Sequence, residues 1–271
     1  MLNLLFGFQM GILVTRKDKA MKKLQSLVLV LFMFVVALVS AMAQDEKEGD
    51  DKKESGKIKP YGELITAEAV TDSGLIVIHK MADKYYFELP FNLLEKEMLI
   101  VTRIAGHVKN LNFGGAGMKS RPQQVVRFQR HDNSVLLRSV SYNSVADFED
   151  PVYRSVRSNN FEPVIMSFNI LAFNTDSTAL VFEVNPLFTT DVDMIGALNQ
   201  NQRKNFEIKS LDTKRSFIVW AKSFPKNVEM RHVLTYKGSK LPDNAITNAL
   251  SVEMNQSFIL LPDKPMRPAL P

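Results

Sequence analysis

The sequence predicts a mostly β fold of antiparallel sheets, sandwich-like or strongly bent, with one or two short helices, behind a signal peptide and a disordered linker. Three observations carry this. From Tyr61 onward, short runs rich in Val, Ile, Leu, Phe and Tyr follow one another. Polar, turn-forming residues part successive runs. Only one segment, near Asp150, joins a capping signal to helical spacing. With 45% apolar residues the chain can bury a sizeable core.

The elements follow in order. Residues 75–79 (LIVIH) and 85–89 (YYFEL) flank a turn at 81–84 and predict a hairpin. Residues 90–96 open with proline and predict one helical turn. Residues 98–104 (MLIVTRI) form a continuous apolar run, expected near the centre of a sheet. A second hairpin is expected from 125–130 and 135–140 around the turn 131–134. Residues 147–161 predict the main helix, with Asp150 as cap, Pro151 in the first helical position, and Asn159 and Asn160 ending it. Strands resume at 164–173 and 179–184, parted by a turn at 174–177. A short helix is expected at 191–199, then strands at 216–222, 228–236 and 249–261. No fixed-period repeat is present, which disfavours a propeller or solenoid.

The N-terminus reads as an export signal. Met21, Lys22 and Lys23 give a positive start, residues 27–39 are apolar, and Ser40, Ala41 and Ala43 are the small residues a signal peptidase reads. Cleavage is expected between Ala43 and Gln44, so 1–43 is the signal segment, with translation expected to start at Met21. The alternative is an uncleaved N-terminal anchor, although the apolar run falls short of the about 20 residues that span a bilayer. An exported product is periplasmic or extracellular. Residues 44–59 mix charges of both signs and predict a disordered linker. A small β domain (60–105) and a larger one (106–271) are expected beyond it, parted where Gly and Pro concentrate.

The formal charge of +5 does not imply nucleic acid. The excess lies at the N-terminus, in Arg16, Lys17, Lys19, Lys22 and Lys23, and the remainder is nearly neutral. The chain has no cysteine, which removes disulfides, thiolate metal sites and a Cys nucleophile.

Chemistry-bearing patterns are sparse. The four histidines are His79, His107, His131 and His232, and none has the His-Glu-x-x-His spacing of a zinc peptidase. His79 and His232 are read as sheet residues, and His131 as a turn residue beside Asp132. Gly114 to Ser120 resembles a phosphate loop only superficially, because Arg121 and Pro122 interrupt the helix it would need. The close carboxylates at Glu149 and Asp150, and at Asp191 and Asp193, are read as helix starts. Tyr85, Tyr86 and Phe87 are a conceivable ligand platform. No catalytic, cofactor or metal residue is assigned.

Several blocks carry a family resemblance: HKMADKYYFELP (79–90), MLIVTRI, VVRFQR, VLLRSVSY, NFEPVIMSFNI (160–170), RSFI joined to SFPKNVEMRHVLTY, and SVEMNQSFILLPDKPMRP. Together they resemble the N-terminal domains of unknown function that precede the peptidase domain in secreted bacterial zinc-dependent metalloproteases. The resemblance implies a peptidase domain as partner and zinc in that domain, with no cofactor here and no activity for this chain alone. The Pro-rich end suggests a chain truncated before that domain. A free-standing periplasmic peptide-binding module and a gene remnant remain as alternatives.

Overall fold

The computed structural model describes residues 58–109, 111, 115–142, 144–242 and 248–263. The signal segment, the Ala43–Gln44 cleavage site and most of the charged linker lie outside the described residues. The fold is mostly β with antiparallel sheets, as the sequence predicts, and one sheet curls strongly into a half-barrel.

The smaller sheet has five strands in the order β1-β2-β3-β9-β8. They are β1 (Val70–Asp72), β2 (Val77–Met81), β3 (Lys84–Pro90), β8 (Ala172–Phe173) and β9 (Ala179–Glu183). The larger sheet runs β10-β12-β13-β4-β5-β6-β7, with β11 pairing β12 as well. Its strands are β4 (Glu97–His107), β5 (Gln124–His131), β6 (Ser134–Val140), β7 (Val164–Asn169), β10 (Ile208–Leu211), β11 (Phe217–Ser223), β12 (Asn227–Gly238) and β13 (Ala249–Leu260). β10 takes the Tyr236–Gly238 end of β12 and β11 the Val228–Val233 end, so the two share one edge. Strands from both sides of the break expected after residue 105 enter each sheet.

Side-chain alternation builds this arrangement. Along β12, Val228, Met230, His232 and Leu234 are buried while the residues between them are half-buried. β13 repeats the pattern with Leu250, Val252, Met254 and Gln256. A period of two places one face of each strand on the core. All the register shifts found fall in the larger sheet, at β10/β12, β11/β12, β13/β4 and β6/β7. An extra residue on one strand bends it and increases twist, which accounts for the curl.

Both hairpins form at the expected places, as does the central strand β4, which lies between β13 and β5. The β2–β3 turn forces Ala82 to φ 53°. A left-handed backbone costs an L residue roughly 1–2 kcal/mol, a cost glycine avoids. Ala82→Gly should therefore raise stability by about 1 kcal/mol, read as a higher urea midpoint.

The two sheets face each other across one core. Ile78, Phe87, Leu89, Leu180 and Phe182 of the smaller sheet meet Met98, Ile100, Phe128, Leu137, Phe168 and Phe258 of the larger. A second cluster fills the other end of the curl, where Ala197, Leu198 and Phe206 cover Leu234, Tyr236, Leu250 and Val252.

The helical elements depart most from expectation. There are four short α-helices among the described residues: α1 (Tyr61–Leu64), α2 (Tyr153–Asn159), α3 (Asn185–Thr189) and α4 (Gln200–Asn205). α2 is shorter than the 147–161 segment expected. Its N-cap is Val152, and Asp150 contributes only its backbone oxygen, to Tyr153 N at 2.9 Å. Val152 is 55% exposed, so no apolar stripe holds the preceding turns in a helix. In place of a helix at 191–199 there is one 3₁₀ turn (Asp193–Ile195), flanked by α3 and α4. α4 begins at a reciprocal cap: Asn199 Oδ1 accepts from Gln202 N (2.9 Å) and Gln202 Oε1 from Asn199 N (2.7 Å).

Candidate functional site

The residues singled out in the sequence are scattered. His107 and His131 are exposed; His131 Nε2 stands 3.8 Å from Asp132. His79 lies on β2 and His232 on β12, both buried. Gly117 adopts φ 89° and donates its N–H to Ile104 O at 2.7 Å, so this loop folds back on β4. Asp191 is neutralised by Arg203, which holds it with two hydrogen bonds of 2.7 and 2.5 Å. Tyr85, Tyr86 and Phe87 do not form a platform, because all three are buried. Among the described residues no group of three or more His, Asp or Glu is placed to hold a metal ion.

Three polar clusters assemble from residues distant in sequence. The first lies on the outer face of the smaller sheet. Thr71 Oγ1 is 2.8 Å from His79 Nδ1, and His79 Nε2 is 2.9 Å from Glu88 Oε2. Tyr61 Oη, from α1, donates to the same carboxylate oxygen at 2.8 Å. With the Nε2–H tautomer, Thr71 donates to the ring and the ring donates to Glu88. Hydrogen bonding from His79 holds the Glu88 carboxyl below its usual range, and burial beside it pushes the Tyr61 phenol up to about 12. A hydroxyl–imidazole–carboxylate line is the skeleton of an activated nucleophile. Here its hydroxyl sits on the edge strand β1, and its acid is shared with Tyr61, so the cluster fastens α1 and β1 to the sheet. Its signal was present in the sequence. The β2–β3 hairpin register sets Val77 opposite Glu88, which puts Glu88 on the face of His79.

The second cluster is inside. His232 Nδ1 donates to Phe188 O (2.8 Å), and Gln256 Nε2 donates to His232 Nε2 (3.1 Å) and to Ile195 O (3.3 Å). Thr102 Oγ1 completes it by donating to Gln256 Oε1 at 2.6 Å. Burial pushes the His232 imidazole down to about 4. This chain ties the segment carrying α3 and the 3₁₀ turn to β4, β12 and β13.

The third cluster is open to solvent. On the outer face of β5 and β6, Arg127 and Arg138 stand opposite each other. They line a hollow of ≈ 240 Å³ with Gln129, Arg157, Asn160 and Glu162. Glu162 holds Arg127 through two hydrogen bonds, of 2.8 and 2.6 Å. Arg138 donates to Gln129 Oε1 and to Glu162 O, each at 2.7 Å. The Phe161 ring lies 5.1 Å from its guanidinium. Three guanidinium groups, of Arg127, Arg138 and Arg157, thus line this hollow beside a single carboxylate, that of Glu162.

Two family models match, and both describe domains of unknown function: DUF5118 over residues 58–107 and DUF5117 over residues 117–270. No curated protein and no solved structure matches the chain. Since the second model spans more than half of the sequence, the protein belongs to the family described as domain of unknown function DUF5117.

Proposed function

We propose that the chain is the non-catalytic N-terminal module of an exported zinc-dependent metallopeptidase, packing on the peptidase domain and shaping access to its cleft. The zinc and the hydrolytic residues belong to that domain. The sequence blocks resembling such N-terminal regions support the peptidase half of this reading. One structural observation supports the interaction half. Tyr142, Val145, Phe148, Val152 and Phe161 are all exposed large apolar residues on the single excursion between β6 and β7, and exposed Val164 opens β7 directly after it. Apolar side chains gathered on one exposed segment suit a surface that another protein covers.

The direct test incubates the purified chain, begun at Gln44, with casein and with zinc. No chelator-sensitive cleavage is expected; such cleavage would overturn the reading. In gel filtration the chain should co-elute with the peptidase domain of such an enzyme, and separate elution counts against the pairing.

A second reading is a periplasmic peptide-binding module. It is favoured by β11, which among the described residues pairs with β12 alone and exposes Phe217 and Val219, an edge suited to strand addition.

A further inference from the structure

Arg127 and Arg138 are directly opposed on neighbouring strands, an arrangement of like charges that is unfavourable unless compensated. Compensation is lopsided. Arg127 has the Glu162 carboxylate at 2.6 Å, Glu95 at 3.6 Å, and Glu97 across the strand on β4. Arg138 is held, among the described residues, only by neutral acceptors, the Gln129 amide oxygen and a backbone carbonyl. Among the described residues no carboxylate forms an ion pair with Arg138, nor with Arg157 in the last turn of α2. Two hydrogen bonds and the Phe161 ring fix the Arg138 fork in place, so little side-chain entropy is lost when its free edge binds an anion.

Arg157 also lines a second hollow beside α2, with Phe148, Asp150, Pro151, Tyr153 and Arg154. There Phe148 is 81% exposed, its ring 5.3 Å from that of Tyr153. Acidic residues mark this end of the excursion: Asp147, Glu149 and Asp150 flank Phe148 in sequence. One surface therefore carries Arg138 and Arg157 without a carboxylate partner at one end and, at the other, aromatic surface where Asp147, Glu149 and Asp150 outnumber Arg154, the two ends joined at Arg157. Acids beside Phe148 repel a partner's carboxylate, which leaves the Arg138–Arg157 end as its place and fixes the direction of binding.

Resting on the interaction-module reading above, we propose that α2 and its flanks dock an internal segment of a partner protein that carries an Asp or Glu beside an apolar side chain. The carboxylate sits between Arg138 and Arg157, and the apolar side chain covers Phe148 and Tyr153. Arg157 lines both hollows, so the segment runs from one to the other along α2. Charge complementarity sets its acid, and exposed Phe148 with half-buried Tyr153 beside it sets its apolar neighbour.

The test is a selection from a library of random peptides flanked at both ends, run against the full chain and against an Arg138→Gln, Arg157→Gln double variant. Sequences enriched on the wild type are expected to hold Asp or Glu within a few positions of Phe, Leu or Met. For a selected peptide, Glu→Gln should weaken binding at least about tenfold, the scale of a lost charge-assisted contact. Arg138→Gln alone should erase that difference, whereas Phe148→Ser should weaken both peptides and preserve it. Both altered arginines lie on exposed faces, and circular dichroism confirms that the variants fold. Equal enrichment on the double variant, or enriched sequences without an acid, overturns the arginine assignment and leaves the module reading standing. Binding only by peptides with a free C-terminal carboxylate overturns the internal-segment assignment. Convergence on neither protein overturns the docking site, whereas chelator-sensitive cleavage by the chain alone overturns the module reading.

Discussion

Replacing Phe182 by alanine is expected to cost about 3–5 kcal/mol, the range for truncating a fully buried Phe. Phe182 sits on β9 of the smaller sheet and is 0% exposed. Its ring contacts Phe87 of the same sheet (centroids 6.1 Å apart) and, across the core, Phe128 (5.9 Å) and Phe168 (4.9 Å). Truncation loses the transfer free energy of the ring and leaves a cavity where the sheets meet. The rigid ladders on either side prevent the sheets from closing on that cavity. Domains of this size have total stabilities of about 5–15 kcal/mol, so the variant keeps a folded state with a much lower urea midpoint. The m-value should be unchanged, because the surface exposed on unfolding is the same. Phe148→Ala, on the exposed excursion, is the control and should lie within about 0.5 kcal/mol of wild type. A Phe182→Ala loss below about 1 kcal/mol would mean that the two sheets do not share this core.

The features legible in the sequence are those that depend on neighbours along the chain. The 81–84 and 131–134 turns fix both hairpins, and extending the second register sets Arg127 against Arg138. Alternation in 228–236 and 249–261 gives β12, β13 and their inward faces. The partners of each strand are a different matter. A period of two says which side is buried but not which strand lies alongside, so the insertion of β4 between β13 and β5 has no local signal. The segment 164–173 reads as one strand, yet it divides into β7 in the larger sheet and β8 in the smaller. Ile170 is buried at the crossing, and the apolar run simply continues through it. α4 was within reach, since Asn199 and Gln202 have capping-box spacing. The polar clusters were partly so. His79 and Glu88 meet across a predicted hairpin, whereas Glu162 reaches Arg127 over a separation of 35 residues. The link between His232 and Gln256 needs the β12–β13 pairing and the covering segment together.

Acid should destabilise the protein through His232 before most carboxylates matter. The imidazole is buried and its folded-state value is about 4, against 6.5 when solvated. Below pH 6.5 the unfolded chain takes up a proton that the folded chain refuses, so stability falls as pH falls. The slope between about pH 6 and 4.5 approaches 1.4 kcal/mol per pH unit, and the total by pH 4 is on the order of 3 kcal/mol. Below about pH 4 both states are protonated and the contribution levels off. The carboxyls with lowered values add their losses lower on the scale: Glu88, held below the usual carboxylate range by His79, and Asp212, pulled down to about 2 by Arg215. Geometry gives the cause. Nδ1–H is committed to Phe188 O, and Nε2 accepts from the Gln256 amide. A proton on Nε2 would face another donor. Turning the Gln256 amide to present its oxygen sacrifices the bond to Ile195 O, one of the ties on the segment that covers the curled sheet. Urea melts at pH 7.5, 6, 5 and 4.5 on wild type and His232→Leu provide the measurement. The variant should be less stable at pH 7.5, because Phe188 O and the Gln256 amide lose a partner, at about 1–3 kcal/mol for each buried group left unsatisfied. Between pH 6 and 4.5 it should lose far less than wild type, so the two stability curves converge. Parallel curves across that interval would show that His232 takes no part in the acid response.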